Sequence, residues 1–383
     1  MLEPTPAFLP GLELSRRLYV DAVQPILAAE LPSLRYAAGL LGAGLLGAGS
    51  EVLGLDTERS TDHDWGARLL IMVDEQEPAA TYDAVDDVLN RRLPARVAGF
   101  PTRFTDSPLE PGTPVLDPDA THGRHGVRVG TVARLVKELG VDALADVLEP
   151  DRLDPAFWLT VSEQHLLEVT AGLVWRDDLG TLTRVRSALA WYPDDVWRYR
   201  LSSAWMRIAQ HEAFIGRTGE VGDDLGSHLV TTALIRDVVY LAFLLERRCA
   251  PYEKWLGTAF ARLGSAAALQ PALDRARYGA DWTTREAAVV EAVQVLAERQ
   301  NALGLAAVVD PTPRRYFNRP FTVLFAERFA AALDDAVTDP RVRALPEHLG
   351  GIDQYVETTN GREQIDLHRA IRAWLRTAGE GQG

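Results

Sequence analysis

The spacing of apolar residues changes near residue 150, and that change limits the folds open to this chain. Upstream, short β-prone runs alternate with turns and helix. Leu69-Leu70-Ile71-Met72-Val73 is a continuous apolar run of strand length. Thr102-Arg103-Phe104-Thr105 and Val127-Arg128-Val129 alternate as half-buried strands do. Asp83 to Leu93 reads as a helix between them, and Asp106 to His125, rich in Pro, Asp and Gly, as a loop. Downstream, helical signals dominate. Asp154-Pro155 is an N-cap followed by proline at the first helical position, and Tyr192-Pro193-Asp194-Asp195 opens a helix with acids in its first turn. Thr283 to Glu286 has capping-box spacing. Trp197, Leu201, Trp205 and Ile208 fall on one helical face, and Leu229 to Leu245 is apolar nearly all round, the mark of a central buried helix. The pattern predicts an α+β protein: a mixed sheet with flanking helices over residues 1–150, then a helical bundle over 151–383.

A length of 383 residues suits two domains. The formal charge of −14 disfavours a protein that holds extended nucleic acid by phosphate neutralisation. A single cysteine, Cys249, excludes an internal disulfide framework and a cysteine-rich zinc site, and fits a reducing cytoplasm. The first residues lack the basic-then-apolar order of a secretory leader. Ala37 to Gly49 is short and broken by glycines, and Leu229 to Leu245 carries Arg236 and Asp237. Such charges are costly in lipid, so both stretches are expected in a soluble core, with no membrane partner.

The sharpest chemical signal is GAGSEVLGLDTERSTDHDWG, residues 47–66. Gly49 and Ser50 close an apolar segment, where a tight turn would present backbone N–H groups and a hydroxyl to phosphate oxygens. Asp62 and Asp64 follow, just ahead of the apolar run at Leu69. On a strand, residues two apart share a face. Two carboxylates about 5 Å apart repel by roughly 3 kcal/mol at an effective dielectric near 20. Mg²⁺ relieves that repulsion and bridges to triphosphate oxygens. An anion-binding turn beside a carboxylate pair is what nucleotidyl transfer needs. The competing reading is a polar turn before a strand, with Gly-Ser a plain loop.

The spacing resembles that of the polymerase-β-like nucleotidyltransferase superfamily. Together with LLEVTAGLVWRDDLG, YPDDVWRYRLSSAWMRIAQHEAFIGRTGEVGDDLGS, APYEKWLGTAFARL, NRPFTVL and GGIDQYVETT, the motif resembles the bacterial domain-of-unknown-function family 4037, over roughly residues 30 to 360. The resemblance implies a nucleotidyltransferase-type sheet in the N-terminal part and supplies no substrate. Active members of the superfamily usually add a third carboxylate from a neighbouring strand. Arg128 stands in the natural slot for it. Asp106, at the end of the candidate strand Thr102 to Thr105, is the substitute, or else a turn residue before Ser107-Pro108. Arg128 in turn suits a bound triphosphate.

The helical part offers further candidates. The glycine-rich stretch Gly216 to Ser227 reads as an interhelical loop that could bring Arg217 to phosphates and Asp223 or Asp224 to a cationic substrate or metal; caps for the flanking helices account for it equally well. Lys254 could meet a triphosphate or pack on Trp255. His211 and Glu212 close the Trp205 face, and Arg207 and His211 stand one residue closer than the arginine–histidine motif of helical RNases. His122 and His125 lie in the loop without metal-ligand spacing. The expectation is therefore a cytoplasmic, Mg²⁺-dependent nucleotidyltransferase, with two ions allowed. Gly49 and Ser50 hold the phosphates of an NTP such as ATP, and Asp62 and Asp64 hold metal. The acceptor hydroxyl, on a small molecule, RNA or protein, enters an interdomain cleft. The alternative is a degenerate nucleotide sensor or partner-binding protein.

Overall fold

A computed structural model describes residues 6–42, 49–119, 123–149, 153–362 and 364–380. The chain forms two compact units and passes between them more than once. Met1–Leu153 with Gln164–Ala190 make the first, and Asp154–Glu163 with Trp191–Gly383 the second. The single boundary expected at 150 thus becomes a crossing, a return and a second crossing.

In the first unit α1 (Gly11–Arg17) runs through a wider π-helical turn (Leu18–Val23) into α2 (Gln24–Glu30). β1 (Tyr36–Leu40) and β2 (Leu69–Val73) are followed by α3 (Ala79–Arg92) and a short hairpin, β3 (Arg96–Val97) and β4 (Phe100–Pro101). Next come β5 (Arg103–Asp106), β6 (Pro114–Leu116), β7 (Arg124–His125), β8 (Val127–Thr131), α4 (Val132–Glu138) and α5 (Leu144–Leu148). After α6 (Pro155–Thr160), which belongs to the second unit, α7 (Glu163–Thr170) leads to β9 (Leu173–Asp177) and α8 (Thr181–Ala188). The main sheet has the order β8-β2-β1-β9, and a second one the order β6-β5-β7. β1 is antiparallel to β2 (Ala38↔Ile71) and to β9, whereas β2 and β8 are parallel (Ile71↔Val129). The parallel pair is possible because α3 supplies the crossover that parallel strands need.

Alternation along β2 and β8 separates two faces. Leu69, Ile71, Val73 and Val127 join a core with Leu14, Leu18, Val23 and Leu27 beneath them and Val85 and Leu89 from α3. Leu70, Met72, Arg128 and Gly130 occupy the other face, in register as Leu70↔Arg128 and Met72↔Gly130. Two expectations need correction. The stretch Asp106 to His125 is not a plain loop, because it contains β6 and β7 and closes the small sheet. Asp62 and Asp64 are not on a strand. Asp62 ends a 3-10 turn (Glu58–Asp62), and Asp64 takes a left-handed backbone with φ 49°.

The second unit is helical. α9 (Asp194–His211), α10 (Phe214–Glu220), α11 (Asp224–Leu245), α12 (Glu253–Phe260), α13 (Ala266–Tyr278) and α14 (Trp282–Leu303) are followed by a β10 (Arg314–Arg315)/β11 (Thr322–Val323) hairpin. α15 (Glu327–Asp335), α16 (Pro340–Arg343), α17 (Thr359–Arg362) and α18 (Ile365–Glu380) complete it. Trp197, Leu201, Trp205 and Ile208 are all buried, as their spacing predicts. Trp197 Nε1 donates to the Leu244 carbonyl (2.8 Å), and the Trp205 ring stacks on Phe329 (4.9 Å between centroids). Asp154 caps α6 through the Ala156 amide (2.8 Å). The cap of α14 is Asp281, which accepts from the Thr284 amide (2.8 Å), so the expected Thr283–Glu286 box does not form. Among the described residues α11 is the one helix long and apolar enough to cross a membrane. It packs against α9, α10, α13 and α14, and its Arg236 and Asp237 are ion-paired to Glu357 and Arg207. α11 is a core helix of this unit.

Candidate functional site

Gly49 and Ser50 form a turn after β1. The Gly49 and Ser50 carbonyls accept from the Val52 (3.1 Å) and Leu55 (2.8 Å) amides. The next residue, Glu51, is buried and ion-paired to Arg68, which is itself nearly buried at the threshold of β2. A Cβ at position 49 would run into the ends of the buried Glu51 and Arg68 side chains, which would have to shift to admit it. The Gly-Ser turn therefore sits directly against a buried ion pair; Gly47 and Ala48 lie outside the described residues.

The acidic turn is held by the tryptophan that follows it. Trp65 is buried between Phe8 and Phe100, and its Nε1 donates to Asp56 (3.0 Å), which also accepts from the Gly11 amide (2.7 Å). Asp62 is exposed, with Oδ1 taking the His63 amide (3.1 Å). Asp64 is half-buried, and its amide donates to the Pro114 carbonyl (2.9 Å) at the start of β6. Burial pushes the Asp64 carboxyl above its usual range; His63 opposes the shift, and Glu110 and Asp62 add to it. Pro114 is also the register partner of Asp106 on β5. Asp106 is thus about two strand spacings, roughly 10 Å, from the backbone that carries Asp64. It is exposed.

A cavity of ≈ 610 Å³ opens around the edge strand β8, lined by residues of both its faces, Val127 and Val129 as well as Arg128 and Gly130. Leu70, Met72, Arg128 and Gly130 line it, with Arg68, and Pro114 reaches it from the Asp64 side. A side chain at Gly130 would enter open space. Arg134 and Glu138 of α4, Tyr82 and Asp86 of α3, and Arg124 and His125 of β7 also line it. His125 Nε2 is 3.2 Å from Asp86 Oδ1. Burial, helped by the neighbouring Arg128, lowers the Arg68 guanidinium to about 10. Arg128 is lowered by its own burial, with Glu138 opposing and Arg134 adding. Clustered cations held below their usual range gain from an anion placed among them. A volume of this size suits a small-molecule ligand.

Among the described residues no three His, Cys, Asp or Glu side chains are grouped to hold a metal ion. Asp62 and Asp64 alone make an incomplete donor set.

The candidates of the second unit are placed as follows. Arg217 lies on α10, not in a loop, and its guanidinium rests 5.5 Å from the Phe214 ring centroid. Only Val221 to Asp223 separate α10 from α11, so the expected Gly216–Ser227 loop is mostly helix. Asp223 caps α11 through the Gly226 amide (2.8 Å), and Asp224 pairs with the fully buried Arg285. Lys254 is exposed with its ammonium 5.3 Å from the Trp255 ring. Arg207 binds Asp237 Oδ1 (3.0 Å), and His211 contacts the Phe214 ring. Glu212 is buried and accepts from the Leu324 and Ala326 amides. Burial pushes the Cys249 thiol well up, so it is no ready nucleophile. His122 lies outside the described residues.

Sequence reasoning missed Arg68 and Glu51. Their signal was present: a charged residue directly at each end of the motif, Glu51 after Gly-Ser and Arg68 before the apolar strand. It also missed the buried cluster of Glu163, Arg200 and Asp353, whose members are too far apart in sequence to form a motif.

Fold and site thus define an α+β protein with an arginine-lined cavity around the β8 edge of its mixed sheet. Residues 158–256 match the sequence model of a family described as a domain of unknown function (DUF4037). The match runs from α6 into α12, a narrower span than the expected 30 to 360, and it leaves Gly49, Ser50, Asp62 and Asp64 outside. No curated protein matches the chain.

Proposed function

We propose that the first unit binds a nucleoside triphosphate with Mg²⁺ and transfers its nucleoside monophosphate to a hydroxyl acceptor. The observation that carries this reading is the cavity in which Arg68 and Arg128 face an anion space, with Pro114 linking its edge to Asp64. Arg68, fixed by Glu51 and by the Gly49-Ser50 turn, and Arg128 neutralise phosphate oxygens. Asp62 and Asp64 would hold the metal, which when bound supplies charge neutralisation of the phosphates. In the transfer the acceptor oxygen bonds to the α-phosphorus, the bond to the β-phosphate oxygen breaks, and pyrophosphate leaves. The hydroxyl proton goes to a carboxylate, for which Asp106 is the candidate on β5. The acceptor belongs to a small molecule, RNA or protein, and the setting is the cytoplasm, where NTPs and Mg²⁺ abound. In the second unit Arg217 and Lys254 are exposed and lie over the Phe214 and Trp255 rings, and Asp223 and Asp224 act as cap and ion-pair partner.

A second reading, binding without transfer, is favoured by one observation. Arg128 stands beside Leu70 on the strand from which a third carboxylate was expected. Calorimetric titration with MgATP, beside the Asp62→Asn/Asp64→Asn protein, tests the shared part. The double variant should lose about tenfold in Mg²⁺-dependent affinity, near 1.4 kcal/mol; equal affinity would remove the metal role. Pyrophosphate release with hydroxyl acceptors separates the two readings.

A further inference from the structure

β8 is the end strand of the main sheet, so among the described residues only its β2 side is paired to a strand. The Leu69 amide donates to the Gly126 carbonyl (3.0 Å), and the register then runs unbroken from Leu69↔Val127 to Val73↔Thr131. Alternate residues of a strand turn their backbone groups to opposite sides. With Gly126 turned to β2, Arg128 and Gly130 turn there as well, and Val127, Val129 and Thr131 turn to the open side. The Val127 amide is taken by the Nδ1 of His125 (3.3 Å). The N–H and C=O of Val129 have no hydrogen-bond partner among the described residues. Gly130 stands inside the strand, where glycine weakens pairing and often marks the close approach of a ligand or another backbone. No bulge accounts for it, and a Cβ there would meet nothing within 4 Å.

The space along this edge is the ≈ 610 Å³ cavity. On the side where Val129 packs toward the core, α3 lines it with Asp83, Asp86 and Asn90, and Asn90 Nδ2 donates to Asp86 (2.9 Å). On the other side stand Arg128 and the open space at Gly130. A strand edge matches a peptide backbone, donor to acceptor, and an extended peptide can add to it as a further strand. We propose that β8 binds an extended protein segment as an added antiparallel strand, and that this segment carries the hydroxyl acceptor of the transfer. The residue opposite Val129 exchanges N–H and C=O with it and directs its side chain along α3, where a lysine or arginine meets Asp83 and Asp86. The residues on either side of it point the other way, and a serine or threonine there sets its hydroxyl beside Arg128, at the proposed phosphate site. That oxygen bonds to the α-phosphorus, the bond to the β-phosphate oxygen breaks, pyrophosphate leaves, and the hydroxyl proton passes to a carboxylate. The acceptor assignment rests on the nucleotide reading; the strand pairing does not.

The probe is a fluorescent peptide of alternating lysine and threonine, titrated by anisotropy into the full chain without nucleotide. Saturable binding with a Kd of about 1 mM or tighter is expected. The same peptide methylated on the backbone nitrogens of its lysines keeps its charge and loses the paired N–H groups, and should bind at least about tenfold more weakly. Hydrogen exchange should slow in the segment 127–131. Equal binding of the methylated peptide, the mark of plain attraction to a chain of −14, overturns the pairing. So does unchanged exchange in that segment, or no binding up to about 10 mM. With MgATP added, mass spectrometry should find a nucleoside monophosphate on a threonine of the peptide. Pyrophosphate release with glycerol but no modified peptide overturns the acceptor assignment. Release with neither acceptor counts against the nucleotide reading and leaves the pairing standing.

Discussion

At Gly49 the missing side chain leaves room for the ends of Glu51 and Arg68, so the glycine that the sequence offers as a phosphate-binding turn also serves packing. Gly49→Ala should destabilise the first unit by about 1–3 kcal/mol, the usual cost of overpacking. Urea unfolding measures it, and an unchanged midpoint would show that the ion pair moves aside freely. Arg128→Ala should weaken MgATP binding by about tenfold, or roughly 1.4 kcal/mol, without moving the unfolding midpoint by much. Undiminished affinity would put the nucleotide elsewhere. At this scale the sequence marked Gly49, Ser50, Asp62 and Asp64 but not the ion pair behind them. Spacing shows which residues are near in the chain; it does not show that Glu51 turns inward to meet Arg68. The left-handed backbone of Asp64 was equally hidden: it stands next to Trp65, which packs against Phe8 and Phe100, residues distant in sequence.

Among elements, the long periodic ones were legible. β2 runs over Leu69–Val73 as expected, and the buried face of α9 is the one its tryptophans mark. Short elements were not. β6 and β7 are held by pairing to β5 rather than by local preference, so a stretch rich in Pro, Asp and Gly gave no sign of them. The same holds for β11 and the strap that follows it, which two buried acids of the helices secure: Glu286 takes the Thr322 amide, and Glu212 takes those of Leu324 and Ala326. Burial raises both carboxyls to about 7, against the amide hydrogen bonds. A carboxyl raised in the fold binds its proton more tightly there than in the unfolded chain. Its contribution is complete below the unfolded value, about 4.3, and is lost as pH rises through 7. For Glu212 the loss is on the order of 3 kcal/mol between pH 4 and 8. Comparing wild type with Glu212→Gln isolates it from other titrations: the variant's unfolding free energy should fall less over that range. Parallel pH profiles would contradict the assignment.

For the whole chain, composition located the change from mixed to helical structure but not the return of the chain to its first unit. β9 is only five residues long and lies between helical signals, yet it pairs with β1 and completes the sheet. A fragment of residues 1–150 should therefore lack a cooperative melt by circular dichroism, since it leaves β1 as an uncovered edge. A fragment of residues 1–190 should regain one; equal behaviour of the two would show β9 to be dispensable. Net charge was similarly silent about local charge: a chain of −14 still gathers Arg68, Arg124, Arg128 and Arg134 around one cavity. That cavity carries the central claim. A crystal structure with a non-hydrolysable nucleoside triphosphate and Mg²⁺ tests it most directly. The account predicts the triphosphate against Arg68 and Arg128 and the metal between its oxygens and Asp62 or Asp64. A nucleotide bound away from β8, or none bound at saturating concentration, would contradict it.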